Sequence, residues 1–110
     1  MAGWYELGMN DKGDFSFVLK AANGEVVLRS ELYETRAGAH NGIASVQKNS
    51  PDEANYTHND ASDGRFYFNL KAPNHQIIGT SQMYTTAAAR RAGVESVRTN
   101  GPSQVIKDAA

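Results

Sequence analysis

The most informative segment is Gly13-Asp14-Phe15-Ser16-Phe17-Val18-Leu19-Lys20-Ala21-Ala22-Asn23-Gly24, because its pattern returns 51 residues later. The second stretch is Gly64-Arg65-Phe66-Tyr67-Phe68-Asn69-Leu70-Lys71-Ala72-Pro73-Asn74-His75. In both, large apolar residues alternate with smaller or polar ones, as they do in a strand with one buried face. Each stretch therefore predicts a strand followed by a turn.

The match continues at the same offset without a gap. Ser30-x-x-Tyr33-x-Thr35 lies over Ser81-x-x-Tyr84-x-Thr86, and Gly42-Ile43-x-Ser45-Val46 lies over Gly93-Val94-x-Ser96-Val97. Agreement at one fixed offset indicates a duplication, whereas a solenoid needs about three repeats or more. We therefore expect a pseudo-symmetric pair that closes one shared core.

Each copy is predicted to form strand, turn, strand and helix. Asn23-Gly24 supplies the positive-φ residues of a two-residue hairpin turn. The second copy has Pro73-Asn74-His75 at this place, so its turn is expected to be longer, or strained by about 1 kcal/mol. The expected cross-strand neighbours are Lys20 with Val27, Val18 with Arg29, Lys71 with Ile78 and Asn69 with Thr80.

The helices are expected over residues 36–48 and 87–99, with Thr35 and Thr86 as N-caps. Each is predicted to end near an asparagine in the left-handed C′ conformation, because a proline follows two residues later. The residues expected to face the sheet are Ile43, Val46, Val94 and Val97. Small residues at Gly38, Gly42, Ala89 and Gly93 are expected to let each helix approach its neighbour closely.

Three further segments are predicted to add strands: Gly3–Met9, Asn55–Asp60 and Gln104–Asp108. The fold class is therefore α+β, with one mostly antiparallel sheet and two helices on one face. We expect a single domain over residues 1–110, made of repeats at about 4–51 and 55–102 with a C-terminal strand near 104–108.

Composition limits the classes of function. Eleven Lys and Arg stand against twelve Asp and Glu, for a formal net charge of -1, so no long-range field gathers nucleic acid or an anionic membrane. The chain has no cysteine, which excludes disulfides and thiolate chemistry. Its start has no basic stretch followed by an apolar run, and no apolar stretch is long enough to span a bilayer. We expect a cytoplasmic protein that does not bind membranes.

Several stretches resemble the YegP-like family of small bacterial proteins. They include Ala2-Gly3-Trp4-Tyr5-Glu6-Leu7, Phe17-Val18-Leu19-Lys20-Ala21, Tyr67-Phe68-Asn69-Leu70-Lys71-Ala72 and Asn74-His75-Gln76-Ile77-Ile78-Gly79. The resemblance covers essentially the whole chain. It implies tandem repeats in one sheet, terminal strands exchanged between copies, and helices packed on the sheet. It also implies that single-repeat members form the same unit as a dimer. The family has no established activity, so no catalytic residue is carried over.

No catalytic, metal or cofactor signature is found among the reactive side chains. His40, His58 and His75 lack the spacing of a helical metal site, and turn or surface positions explain them better. Ser30 and Ser81 recur in both copies, as do Ser45 and Ser96, but none lies in a nucleophile elbow. We interpret these serines as structural. We expect no cofactor, no metal and no catalytic residues.

The sheet face opposite the helices is the candidate binding face. Its members are Val18, Lys20, Arg29, Tyr67, Asn69 and Lys71. A solvated face without a ligand explains the same residues. The functional hypothesis is a non-enzymatic binding or accessory module, acting as a monomer with internal pseudo-two-fold symmetry and with a protein as the favoured partner. Single-stranded nucleic-acid binding by this face and a small enzyme with a site shared between the repeats are the alternatives.

Overall fold

A computed structural model describes residues 3–109 of the chain. The strands are β1 (Trp4–Met9), β2 (Phe15–Lys20), β3 (Val26–Arg29), β4 (Tyr56–Asp60), β5 (Phe66–Lys71), β6 (Ile77–Thr80) and β7 (Ile106–Asp108). The helices are α1 (Arg36–Asn49) and α2 (Ala87–Asn100), and a short 3-10 helix at Glu53–Asn55 leads into β4. All three segments predicted to add strands do so.

The strands form one seven-stranded sheet in the order β4-β5-β6-β3-β2-β1-β7. Neighbouring strands are antiparallel except β1 and β7, which are parallel. Arg29 of β3 pairs with Thr80 of β6, and these positions correspond in the two copies, so this pair marks the pseudo-two-fold axis. The predicted α+β fold is confirmed. Exchange between copies is limited to β7, which follows the second copy but pairs with β1 of the first.

Both copies contribute to one core beneath the helices. Phe17 and Phe68 are 2% and 0% exposed, and the leucines two residues further along each strand are fully buried. The helix residues predicted to face the sheet are all fully buried: Ile43, Val46, Val94 and Val97. Each helix touches strands of both copies, since α1 packs on β2, β5 and β6 while α2 packs on β2, β3 and β5. Neither copy therefore has a closed core by itself.

The N-caps and the positions of the helix ends are confirmed, but the left-handed conformation predicted at those ends is wrong. Thr35 and Thr86 accept hydrogen bonds from the backbone N–H groups of Gly38 and Ala89, at 2.9 and 3.0 Å. The capping residues at the C-termini, 50 and 101, have φ of -62° and -57°, so neither adopts the left-handed conformation. Asparagines 49 and 100 stay inside their helices, where each side-chain amide donates to the carbonyl four residues earlier. This local bond replaces the expected asparagine cap.

Two of the helical glycines allow the close approach expected of them, and the neighbour that approaches is a tyrosine ring. A Cβ at Gly42 or Gly93 would lie 2.3 or 2.2 Å from the hydroxyl oxygen of Tyr33 or Tyr84. Each tyrosine stacks on the phenylalanine of the neighbouring strand, with ring centroids 6.2 and 6.3 Å apart. The tyrosines thus fill the helix–sheet junction.

The first hairpin turn is not the predicted two-residue turn. The Ala21 N–H donates to the Glu25 carbonyl at 2.9 Å, and Gly24 with φ of 85° is the positive-φ residue of a three-residue loop. The third loop residue shifts the register only next to the turn, so Lys20 pairs with Val26 rather than Val27, and an irregularity between Leu19 and Lys20 restores the predicted register. The Val18–Arg29 pair, beyond this irregularity, is confirmed.

The second hairpin keeps the same loop length, which decides between the two expectations. His75 takes the place of Gly24 and is the non-glycine residue with positive φ within residues 3–109, at 69°. Lys71 consequently pairs with Ile77 rather than Ile78, while the predicted Asn69–Thr80 pair is confirmed. The turn is therefore strained rather than longer.

Candidate functional site

The sheet face turned away from the helices, called here the outer face, presents a continuous row across all seven strands. The row is Thr57, Asn69, Thr80, Arg29, Val18, Glu6 and Lys107, each in register with the next. Three of the six predicted residues belong to this row, and Lys20, Tyr67 and Lys71 lie two positions along the same strands. The structure therefore places the six predicted residues on one face, and their binding role stays a prediction.

The outer face carries more cations than carboxylates, although the chain as a whole has a net charge of -1. Its charged side chains are the cations Lys20, Arg29, Lys71 and Lys107 and the carboxylate Glu6. Several carboxylates elsewhere are already paired with arginines of the helices. Glu53 lies 2.6 Å from Arg91, and Asp60 lies 3.2 Å from Arg90. The separation of charge leaves the outer face locally basic.

In the first copy, Glu6 is the centre of a closed polar cluster. Its Oε2 accepts a hydrogen bond from the Trp4 indole N–H at 2.8 Å, and its Oε1 lies 3.1 Å from the Lys20 ammonium. The Trp4 hydrogen bond and then the Lys20 hydrogen bond lower the pKa of Glu6. The Lys107 ammonium lies over the Trp4 ring, 4.5 Å from its centroid. Both carboxylate oxygens of this cluster are therefore occupied by donors of the chain.

Sequence reasoning missed Trp4, Glu6 and Lys107 as members of this face. The signal for the first two was present, because they alternate with the buried Tyr5 and Leu7 in the same way as the predicted residues alternate with their neighbours. Lys107 had no such signal. Its place depends on the parallel pairing of β7 with β1, which joins opposite ends of the chain.

The second copy has the lysine of this cluster but neither of its partners. Asn55 and Thr57 stand where the first copy has Trp4 and Glu6. The Asn55 amide is turned toward the end of α1 and donates to the Asn49 carbonyl at 3.0 Å. A cleft of about 180 Å³ remains beside Lys71, lined in addition by Ala54, Asn55, Thr57, Ala72, Pro73 and His75. Within residues 3–109, Lys71 makes no ion pair.

A second difference lies further along the same strands. Gly8 and Ser16 are in register on the first copy and help to line a shallow depression of about 250 Å³. The corresponding residues of the second copy are Asn59 and Tyr67, which are also in register. One half of the outer face therefore has a depression where the other half has an aromatic ring.

The histidines and repeated serines have structural surroundings. His40 Nε2 lies 3.7 Å from a carboxylate oxygen of Asp108, and His75 is in the second hairpin turn. Over residues 3–109, no group of three His, Asp or Glu side chains is placed to hold a metal ion. Ser30 and Ser81 each accept the N–H of a core phenylalanine at 2.9 Å and donate to the next carbonyl. These contacts tie the strand ends together.

None of the helices in the described part of the chain, residues 3–109, is long and apolar enough to cross a membrane.

The fold and the outer face define a class of duplicated α+β proteins, in which two helices cover one side of a sheet and the other side stays open. The chain belongs to the family described as "Domain of unknown function (DUF1508)", whose model matches residues 10–56 and 61–108. The similar proteins also confirm the resemblance to the YegP-like family. UPF0339 protein YegP of Escherichia coli K12 is 58% identical over 108 residues, which cover 98% of each chain. The UPF0339 protein of Shewanella oneidensis is 59% identical over the same length and the same shares.

Two solved structures agree with this fold. The solution NMR structure of E. coli yegP, described as a protein of unknown function, matches with a TM-score of 0.94 at 58% identity. The match covers 99% of this chain and 94% of that one. The solution structure of the S. oneidensis UPF0339 protein matches with a TM-score of 0.92 at 59% identity, covering 98% and 92%. The fold is thus shared by the family, and its members have been described without an assigned activity.

Proposed function

We propose that this protein is a non-enzymatic binding module that engages an acidic segment of a protein partner through its outer face. The observation that carries this proposal is the unbroken seven-residue row, in which Arg29 lies beside the pseudo-two-fold axis, on the face opposite the two helices of residues 3–109. Arg29 is exposed, and no ion pair within residues 3–109 involves it. A sheet face with exposed cations and mixed polar and apolar neighbours suits an acidic partner by charge complementarity.

The aromatic residues of the outer face favour a protein over single-stranded nucleic acid. Binding of bases requires rings that are free for stacking. The Trp4 ring is already covered by the Lys107 ammonium, and Tyr67 is half-buried in its strand. An enzyme is less well supported, because Glu6 has a lowered pKa whereas a general acid or base works best with a pKa near the working pH.

The proposal is tested with a charge reversal at Arg29 and a matched reversal on the helix side. Arg29→Glu and Lys48→Glu change the net charge equally, and Lys48 is exposed on α1. Each variant and the wild type are immobilised, and proteins captured from lysate are identified by mass spectrometry before and after nuclease treatment. We expect one set of acidic proteins retained by wild type and Lys48→Glu and lost from Arg29→Glu. Equal retention by Arg29→Glu would refute the proposal, and loss of all capture on nuclease treatment would favour nucleic acid.

A further inference from the structure

We propose that the cleft beside Lys71 binds a carboxylate group of an acidic peptide segment, in the position that Glu6 occupies beside Lys20 in the first copy. The inference rests on the proposed function, because this cleft opens on the outer face. It adds the chemical group that is bound and the residues that hold it.

The first copy provides an internal template for the bound state. Its carboxylate is held by an ammonium at 3.1 Å and by an indole N–H at 2.8 Å. Hydrogen bonds with an ionised partner are about twice as strong as neutral ones. The duplicated scaffold repeats the position of the lysine, since Lys20 and Lys71 both precede the hairpin turn by the same number of residues. The scaffold is therefore built to hold a carboxylate at this place.

The second copy has the cation but not the carboxylate. Thr57 replaces Glu6, and the Asn55 side chain is turned away from the position that the Trp4 indole fills in the first copy. Lys71 is half-buried, so part of its hydration is already lost, and residues 3–109 supply no counterion to it. A carboxylate from outside the chain would restore the pairing that the first copy makes internally.

The polar residues that line the cleft favour an anion. Beside Lys71, the residues that line the cleft include Thr57 and His75, whose side chains can donate hydrogen bonds, and none of the lining residues is Asp or Glu. One lysine and two further donors match a monoanion better than a phosphate dianion, which proteins usually hold with several cations or a helix N-terminus.

The backbone of His75 is a second observation that points to the same cleft. Its φ of 69° is uncommon for a residue with a Cβ, and Gly24 holds the corresponding place in the first copy with φ of 85°. Strained residues cluster at binding sites, where surrounding structure holds them. Here the residue with the uncommon φ belongs to the lining of the cleft beside Lys71, which makes no ion pair within residues 3–109.

The experiment is an NMR titration of the full chain at low salt with a blocked six-residue peptide containing one glutamate. The control peptide has glutamine at that position, and acetate and inorganic phosphate are titrated separately. We expect the glutamate peptide to shift the signals of Thr57, Lys71 and His75 and to leave those of Trp4 and Lys20 in place. The glutamine peptide should cause no such shifts. Acetate binding as tightly as the peptide would identify a free carboxylate as the ligand and support the same site.

Two reciprocal substitutions test the template directly. Thr57→Glu gives the second copy its own carboxylate, so we expect at least about a tenfold loss of peptide affinity. Glu6→Thr frees Lys20 and the Trp4 indole N–H, so we expect a second binding site that shifts the indole signal. Lys71→Gln removes the cation without adding a charge, and it serves as the loss variant if Thr57→Glu does not fold.

Several results would overturn the inference. They are equal binding of the glutamine peptide, binding of phosphate alone, unchanged affinity in Thr57→Glu and Lys71→Gln, or wild-type shifts centred on Lys20. The outer face could still capture a partner through Arg29 in any of these cases. Failure of the cleft is therefore distinguishable from failure of the proposed function.

Discussion

The two copies share a scaffold and differ on the surface that the scaffold presents. Within the core they are nearly interchangeable, as Tyr5 and Tyr56 show: their hydroxyls donate to the carbonyls of Gly101 and Ser50 at 2.6 and 2.8 Å. On the outer face the corresponding residues Glu6 and Thr57 differ in charge. After a duplication, the contacts needed for folding constrain both copies, whereas an open face can diverge. The differences between the copies are therefore better guides to function than the similarities.

One pair of corresponding core positions differs between the copies. Substitutions at this pair give the largest expected effect on the free energy of unfolding. Leu28 and Gly79 correspond in the two copies, and a Cβ at Gly79 would lie 2.5 Å from Cδ2 of Leu28. The Leu28 side chain thus occupies the space in which a side chain at position 79 would lie. Leu28→Ala should lower the free energy of unfolding by about 3 kcal/mol in urea denaturation. Gly79→Ala should cost about 2 kcal/mol through overpacking.

The double variant sharpens this test. Because the Leu28→Ala substitution leaves room for a methyl group at position 79, the combined loss should be smaller than the sum of the single losses. Strict additivity would show that the two side chains do not compete for the same space.

The buried tyrosines test the symmetry of the core. Tyr5→Phe and Tyr56→Phe each leave a buried carbonyl without its donor, so each should cost about 1.5 kcal/mol, by similar amounts. Burial raises the pKa of both hydroxyls above the ordinary value of about 10. The folded state then holds these protons more tightly than the unfolded state, so stability is intact below pH 10 and declines as the pH rises beyond it.

The measurement is urea denaturation between pH 8 and 11. The decline should be shallower in either phenylalanine variant than in the wild type. If stability declines with pH in both variants as steeply as in the wild type, other groups cause the decline.

The hairpin turns give the smallest of these effects. Gly24 and His75 occupy the same positive-φ position, at 85° and 69°. His75→Gly should raise the free energy of unfolding by about 1 kcal/mol, and Gly24→His should lower it by about the same amount. Thermal denaturation of both variants measures these two changes in stability. A loss of stability in His75→Gly would mean that the imidazole makes contacts that outweigh its backbone strain.

The sequence allowed much of the fold to be predicted because the relevant signals are local. Alternation at Phe15 to Leu19 identifies a strand, and Thr35 before a helical pattern identifies an N-cap. The hairpin was mispredicted because Asn-Gly fits both a two-residue turn and a three-residue loop with glycine at its positive-φ position, and the local sequence does not distinguish them. The left-handed conformation at the helix ends was mispredicted because Asn49 bonds back to its own helix instead of capping it.

The candidate face was predictable only in part. Alternation assigned Lys20 and Lys71 to the same side of the sheet, as the structure places them. The difference in pairing between the two lysines could not be predicted, because it depends on Glu6 of β1 lying beside Lys20 of the adjacent strand β2. Lys107 reaches the face only through pairing between the two ends of the chain, for which no local pattern exists.

The outer face is one continuous surface because the two copies share a core. The two copies should therefore unfold together. Trp4 is the sole tryptophan and lies in the first copy, so its fluorescence reports on that copy. Phe68→Leu, in the second copy, should cost about 1 kcal/mol. Urea denaturation followed by Trp4 fluorescence should move to lower urea by the same amount as the NMR signals of β5. A Trp4 transition that stays at its wild-type midpoint would contradict the shared core.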